Sequence, residues 1–205
     1  SDIPALREEG RRFRAAEPYR NFEELAASEP EGVTWSREVL VRPSPVCIVA
    51  PHGGTMEAGT SEFARALAGD SFSLYSFQSL KDPGDWSLHI AAIRFDDQVC
   101  LDLVRQSALV VAVHGCESKH EADNGKEAVF VGGRAWEEKE FIIHYLNSRG
   151  FLALSDRVHR GVDRRNICNR GPAGKGLQFE LSRGMRACFS PDIEDKVFER
   201  WMDLM

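Results

Sequence analysis

Hydrophobic residues form short continuous runs from residue 46 onward. Val46–Ala50, Leu109–Val113 and Val129–Val131 are apolar at consecutive positions and rich in β-branched side chains. Such runs are typical of strands that are buried on both faces of a partly parallel sheet. Three further strands are predicted at 72–77, 151–154 and 177–181.

Apolar positions at helical spacing predict the segments that connect these strands. Helices are predicted near 4–16 and at 21–27, 60–68, 97–106, 137–148 and 191–204. Gly69 and Gly150 follow two of them as stop signals, and Pro191 lies near the start of the last. The alternation of strands and helices predicts an α/β domain with a mixed, mainly parallel sheet. We expect a single domain over 1–205, with 1–45 as an N-terminal extension of uncertain role.

Composition narrows the class of protein. The chain has 205 residues, 42% of them hydrophobic, and a net charge of -6, which argues against a nucleic-acid binder. No apolar run is long enough to cross a bilayer, and no apolar run follows the charged N-terminus as in a signal peptide. Five cysteines without a CxxC pair indicate reduced thiols. We therefore expect a cytoplasmic protein with no membrane partner, and a leader trimmed away before Ser1 is the alternative.

Two histidines directly follow predicted buried strands. His52 comes after the first and His114 after the second, and ligands of α/β sheets bind beyond the carboxyl ends of the strands. The glycines after His52 let the chain curl so that Glu57 turns back toward it. A catalytic zinc takes three His or carboxylate ligands and a water, so His52, Glu57 and His114 are the candidate set. The alternative is that each histidine is a hydrogen-bonded loop residue beside an ordinary Gly-Gly turn.

Glu180 lies within an apolar strand, Leu177–Leu181. A buried carboxylate is costly unless it is paired or functional, and burial raises its pKa toward that of a general base. Glu180 is therefore the candidate base that activates the attacking water, unless the strand exposes it to solvent. His120 is a spare metal ligand and Cys116 an alternative thiol nucleophile. His89 and His159 show no ligand-like neighbours, and His144 lies within a predicted helix as a packing or surface residue.

Positive charge is concentrated in the segment 157–186. This segment contains eight basic residues and only two acidic ones, Asp163 and Glu180, although the chain is acidic overall. This imbalance suggests an anionic substrate, and the planar guanidinium of arginine suits carboxylates. Arg170 and Arg183 are the candidate substrate contacts. The alternatives are a solvated loop, or a non-catalytic surface for an anionic polymer or nucleic acid, although Phe179 is the only aromatic residue in the segment.

The motifs occur in a specific order between Ala50 and Phe189. They are His52-Gly53-Gly54 with Glu57, Gly59-Thr60-Ser61-Glu62, Val113-His114-Gly115-Cys116, Val131-Gly132-Gly133, Asn166-Ile167-Cys168-Asn169-Arg170-Gly171, and Leu177-Gln178 with Glu180-Leu181-Ser182-Arg183. This order resembles the poly-γ-glutamate hydrolase family of phages and bacteria, compact zinc enzymes distantly related to zinc carboxypeptidases. Residues 1–45 have no counterpart in the resemblance.

The resemblance implies an open three-layer α/β sandwich and cleavage of γ-glutamyl amide bonds in an anionic polymer or peptide. It implies Zn²⁺ on His52, Glu57 and His114, and Glu180 as general base. It also implies that Asn169 and Arg170 grip a substrate carboxylate, as a similar pair does in carboxypeptidases. Release by phage lysis is a further alternative for location, and a zinc amidase acting on a peptidoglycan stem is an alternative for substrate.

Overall fold

The structure is a computed structural model that describes residues 17–116 and 127–189. The helices predicted near 4–16 and at 191–204 lie outside the described residues, as does His120. Within those ranges, no helix is long and apolar enough to cross a membrane.

The described residues form seven strands, five α-helices and a short 3₁₀ turn. The strands are β1 (Trp35–Leu40), β2 (Val46–Gly54), β3 (Ser73–Ser79), β4 (Leu109–Gly115), β5 (Ala128–Gly133), β6 (Leu152–Ser155) and β7 (Leu177–Leu181). The helices are α1 (Phe22–Ser28), α2 (Thr60–Ala68), α3 (Gln98–Arg105), α4 (Trp136–Ser148) and α5 (Arg183–Ala187), and the 3₁₀ turn covers Ile167–Asn169.

The seven strands of the described residues form one mixed sheet in the order β1-β3-β2-β4-β7-β5-β6. Four neighbouring pairs are parallel: β2 with β3, β2 with β4, β4 with β7, and β5 with β6. The pairs β1–β3 and β5–β7 are antiparallel. The predicted α/β class with a mixed, mainly parallel sheet is confirmed.

Helices cover both faces of the sheet and create two apolar cores. On one face, Val111 and Val113 of β4 pack with α2 and α4, which contribute Phe63 and Leu146. On the other face, the alternate side chains of β4 pack with α1 and α3. This alternation is the period-2 pattern of a strand, and it gives the three-layer sandwich that the family resemblance implies.

Two features of the sheet differ from the sequence predictions. The predicted turn after Ala50 is instead the end of β2, which continues past an irregularity between Ala50 and Gly53 because β3 keeps pairing with it up to Gly54. Strand β1 was not predicted, because it lies at the sheet edge and only Trp35 of its six residues is buried. Residues 17–45 therefore contribute a helix and an edge strand to the same core.

The buried carboxylate of Asp97 joins three elements on the β1 side of the sheet. It accepts hydrogen bonds from the Arg37 guanidinium on β1, at 2.9 and 3.1 Å, and from the Tyr75 hydroxyl on β3. It also caps α3 by accepting the backbone N–H of Val99. Removing one member of such a buried, hydrogen-bonded charge network is strongly destabilising, because the remaining groups stay buried without a partner.

We expect Asp97→Ala to lower the free energy of unfolding by about 3 kcal/mol or more, because Arg37 and Tyr75 would lose a buried partner and α3 its cap. Urea denaturation measures the change. The matched control is Asp102→Ala on the same helix, whose exposed ion pair with Arg105 is worth about 0.5 kcal/mol or less. Equal losses in the two variants would contradict this account.

Candidate metal centre and active site

The site begins where the parallel strands β2 and β4 end side by side. His52 and His114 lie near the carboxyl ends of these strands. After β2 the chain turns tightly, and the backbone N–H of Glu57 donates to the His52 carbonyl at 3.0 Å. The Glu57 carboxylate then accepts the backbone N–H of Gly115 at 2.8 Å, which fixes it against the end of β4.

The three predicted ligands converge in a buried cluster. Nδ1 of His52 lies 3.1 Å from Oε1 of Glu57 and 3.1 Å from Nδ1 of His114. Their exposed fractions are 3%, 5% and 5% for His52, Glu57 and His114. Nε2 of His52 lies 2.8 Å from the Ile90 carbonyl, which can only accept, so this nitrogen carries a hydrogen and Nδ1 is the nitrogen that faces Glu57 and His114.

Charges within the cluster shift the pKa of each member. Burial alone would raise the pKa of Glu57, but the charge and hydrogen bond of His52 overcome it and lower the pKa to about 2. Burial lowers the pKa of His114 to about 3, assisted by the charge of His52. Burial opposes the charged form of His52 too, but Glu57 and the Ile90 carbonyl raise its pKa. The cluster therefore combines a carboxylate with a neutral His114 imidazole.

The donor set fits a zinc ion. Two imidazole nitrogens and one carboxylate oxygen lie within 4.8 Å of one another, and all three side chains are buried. Imidazole and carboxylate are ordinary zinc ligands, and three of them leave one position open as in catalytic sites. The contact between the Ile90 carbonyl and the far nitrogen of His52 is the kind of outer hydrogen bond that orients a ligating histidine. His114 Nε2 is buried without a partner among the described residues.

Glu180 lies beside this cluster on β7. It pairs in register with His114 on β4, and 6% of it is exposed. Burial raises its pKa well above the ordinary value, and the charges of Glu57 and Asp156 raise it further. Gln178 donates to Oε1 of Glu180 at 2.8 Å and is itself held by Asn166 at 2.7 Å. The carboxyl group is thus held in place in an environment that raises its pKa.

His89 belongs to the site although its sequence neighbours gave no sign of it. Its ring centroid lies 4.1 Å from that of His52, and its Nδ1 lies 2.7 Å from Oε1 of Glu17. Glu17 also forms an ion pair with Arg94. The residue lies in an irregular segment between β3 and α3, where no periodic pattern marks it, so its placement depends on tertiary structure.

Asp156 and Arg186 were also missed. Asp156 directly follows β6, and one carboxylate oxygen lies within 4.8 Å of Glu180. The rule that selected His52, a polar residue just after a strand, would have found it. Arg186 donates to the carbonyls of Ala58 and Cys116 at 3.1 and 3.4 Å, so it links the turn after β2 to the end of β4. Nothing in the sequence separates Arg186 from the other basic residues nearby.

The remaining candidates lie outside the cluster, and none of their hydrogen bonds within the described ranges reaches it. Asn169 is buried and donates to the carbonyls of Gly161 and Asp163, while Arg170 donates to the Phe95 carbonyl. Arg183 is exposed at the start of α5. The Cys116 thiol is buried and lies 3.5 Å from the Leu181 carbonyl. The substrate contacts of Asn169, Arg170 and Arg183 and the thiol role of Cys116 stay predictions.

Comparison with known proteins identifies related sequences. The family model described as poly-gamma-glutamate hydrolase matches residues 19–199. The SPbeta prophage-derived UPF0714 protein YoqZ of Bacillus subtilis (strain 168) is 36% identical over 84% of this chain and 61% of its own length. The UPF0714 protein YndL of the same organism is 33% identical over 84% of this chain and 66% of its own. The chain therefore spans about two thirds of the length of these curated relatives.

Two solved structures have the same fold. A structure of a bacteriophage poly-gamma-glutamate hydrolase superposes with a TM-score of 0.81 and 28% identity, covering 91% of this chain and 93% of that one. A structure of YndL, described as apo and zinc-free, gives a TM-score of 0.82 and 30% identity, covering 92% and 95%. The family match begins at residue 19, so part of the N-terminal segment without a counterpart in the motif resemblance belongs to the shared region.

The cluster predicts which histidines hold the metal. We expect His114→Ala to reduce bound zinc from about one ion per chain to near zero, because two ligands do not make a stable catalytic site. Metal analysis of dialysed protein measures the stoichiometry. The control His144→Ala changes an exposed histidine on α4 and should keep its zinc. Full zinc content in His114→Ala would refute this assignment.

Proposed function

The chain belongs to the poly-γ-glutamate hydrolase family, and from that premise we propose that it is a zinc-dependent hydrolase of γ-glutamyl amide bonds in poly-γ-glutamate. The observation that carries the proposal is the buried convergence of His52, Glu57 and His114 beside the carboxylate of Glu180. A metal-ligand set next to a fixed basic carboxylate is the arrangement that metal-assisted amide hydrolysis requires.

Zinc is the metal we assign to His52, Glu57 and His114. Two imidazoles and one carboxylate are the protein ligands of many zinc hydrolases. The description of a YndL structure as zinc-free supports the same metal in a close structural neighbour. When bound there, zinc supplies a Lewis acid that polarises the scissile carbonyl and lowers the pKa of the attacking water.

Glu180 is the proton carrier in this proposal. Its carboxylate accepts a proton from the attacking water, and the water oxygen forms the new bond to the carbonyl carbon. The same carboxyl group then gives the proton to the amide nitrogen as the carbon–nitrogen bond breaks, so the products are a carboxylic acid and an amine. Burial raises the pKa of Glu180, which makes it a stronger base, and the hydrogen bond from Gln178 holds its position.

The basic segment 157–186 supports an anionic substrate. Within the described residues, Arg157, Arg160 and Arg183 are exposed and make no side-chain hydrogen bond or ion pair. Unpaired guanidinium groups near a catalytic site favour a substrate with repeated carboxylates. Poly-γ-glutamate carries one free carboxylate on every residue.

We expect Glu180→Gln to keep its zinc and fold but to lose about 100- to 10,000-fold in kcat, because the amide cannot accept the proton. Initial rates of polymer cleavage, with zinc content and melting temperature measured on the same sample, test this. The control Glu62→Gln removes an exposed carboxylate from α2 and should keep full activity. Normal turnover by Glu180→Gln would show that another group is the base.

We also expect the purified protein to shorten poly-γ-glutamate, and a zinc chelator to abolish the shortening. Size-exclusion chromatography of the polymer, with and without chelator, measures chain length. Restoration of cleavage by added Zn²⁺ is the control for chelator damage. Binding to the polymer without shortening, in a zinc-loaded sample, would favour a non-catalytic module, and cleavage of a peptidoglycan stem instead would redirect the substrate assignment.

A further inference from the structure

A cavity of about 340 Å³ opens beside the proposed catalytic carboxylate. Its walls come from the carboxyl end of β5, the first turn of α4 and the loop after β6. The lining side chains that matter here are Trp136, Lys139, Ser155, Asp156, Arg157 and Arg160. A volume in this range suits a small ligand or one segment of a polymer.

Asp156 connects this cavity to the reaction centre. It lines the cavity, and one of its carboxylate oxygens lies within 4.8 Å of a carboxylate oxygen of Glu180. Oδ1 accepts the backbone N–H groups of Val158 and His159 at 2.7 and 2.8 Å, which fixes the side chain. Oδ2 is buried and has no hydrogen-bond partner among the described residues. A buried carboxylate oxygen without a donor points to a donor supplied by a ligand.

Lys139 brings a buried positive charge to the cavity. Only 6% of the residue is exposed, and its Nζ donates to the Ser155 hydroxyl at 3.1 Å. Among the described residues, the nearest carboxylate belongs to the exposed Glu140, at 3.6 Å, and the ammonium also lies 4.4 Å from the centre of the Trp136 ring. Within residues 17–116 and 127–189 the charge is therefore only partly compensated, which favours an anion in the cavity.

Arg157 and Arg160 add two free guanidinium groups. Neither makes a side-chain hydrogen bond or ion pair in the part of the chain that the structure describes. Other arginines of the same segment are occupied: Arg165 pairs with Asp163, and Arg170 and Arg186 donate to backbone carbonyls. Two of the unpaired arginines thus line the same cavity, where both guanidinium groups remain available to bind a carboxylate.

We infer that this cavity is the subsite for the glutamyl unit next to the scissile bond, with Lys139, Arg157 and Arg160 binding its α-carboxylate and Oδ2 of Asp156 accepting its amide N–H. The inference rests on the proposed function and deepens it. In a γ-linked chain the same α-carbon carries both the free carboxylate and the amide nitrogen. A cavity that offers cations and one acceptor together matches that pair of groups. In an α-linked chain the free carboxylate is two methylene groups farther from the backbone.

A metal ion in addition to the proposed zinc is the alternative ligand for this region. Asp156, His159 and Glu180 could together hold a metal ion. Among its described lining residues, however, the cavity has three cationic side chains and one carboxylate, that of Asp156. This balance of charge favours an anionic ligand over a cation.

The test measures binding separately from hydrolysis. Calorimetry on chelator-treated protein uses a short γ-linked glutamate oligomer and the same oligomer with its α-carboxylates converted to amides. We expect the double variant Arg157→Gln/Arg160→Gln to bind the free-acid oligomer about 10-fold more weakly or worse, because each guanidinium loses a charge-assisted hydrogen bond. The amide form should bind weakly to wild type and variant alike. Equal affinity of wild type for both oligomers would overturn the inference.

The matched control is Arg164→Gln, which removes an exposed and unpaired arginine of the same segment outside the cavity. It should bind and cleave like the wild type. In steady-state assays with zinc-loaded enzyme, the double variant should raise KM about 10-fold with little change in kcat, and Lys139→Met should act in the same direction. If Arg164→Gln weakened oligomer binding as much as the double variant does, the effect would come from net charge alone, and the subsite would be overturned.

The outcomes separate this inference from the proposed function. Oligomer binding that depends on Arg157 and Arg160, without polymer cleavage by zinc-loaded wild type, would keep the subsite and refute the hydrolase proposal. Polymer cleavage that is unaffected by the double variant would keep the hydrolase and refute the subsite. Binding of a second equivalent of Zn²⁺ that is lost in Asp156→Asn would assign the carboxylate to a metal and overturn its role in the cavity.

Discussion

The parallel pairing of β4 with β7 sets His114 opposite Glu180, and the geometry of the site depends on that register. A shift of one residue would turn either side chain to the other face of the sheet, because side chains alternate along a strand. The apolar alternation of both strands prevents such a shift, since Val113 and Phe179 must stay in the core on the opposite face. The packing of the core therefore fixes the distance between the metal-ligand cluster and the proposed base.

Three buried carboxyl groups lie in this small region, and each has a different electrostatic environment. Glu57 is held ionised, with its pKa lowered to about 2 by His52, whereas burial and neighbouring carboxylates raise the pKa of Glu180. Asp156 has one oxygen bound to backbone N–H groups and one without a partner. Environments that separate the pKa values of adjacent acids are how a site assigns them distinct roles. Under the proposed function, Glu57 binds the metal and Glu180 carries the proton.

Much of the fold follows from local pattern, because buried parallel strands read as continuous apolar runs and their ends mark the site. That rule identified His52 and His114, which lie within one cluster. It failed where burial is one-sided, as in the edge strand β1. It also failed for His89, which reaches His52 from an irregular segment, and for the unpaired state of Arg157, which depends on where carboxylates lie in space. Only tertiary structure distinguishes such residues from solvated neighbours of the same type.

The distribution of charge resolves an apparent conflict between the chain and its proposed substrate. The protein carries a net charge of -6, and a polyglutamate is also an anion. Repulsion between distant charges is screened over about 8 Å at physiological ionic strength. The charged groups within a few ångströms of the bound polymer therefore determine whether it is attracted or repelled. Arg157, Arg160 and Lys139 line the cavity beside Glu180, and among the described residues that line it Asp156 supplies the one carboxylate. Local attraction at this cavity would therefore hold one segment of the polymer while the rest of the acidic surface favours its release.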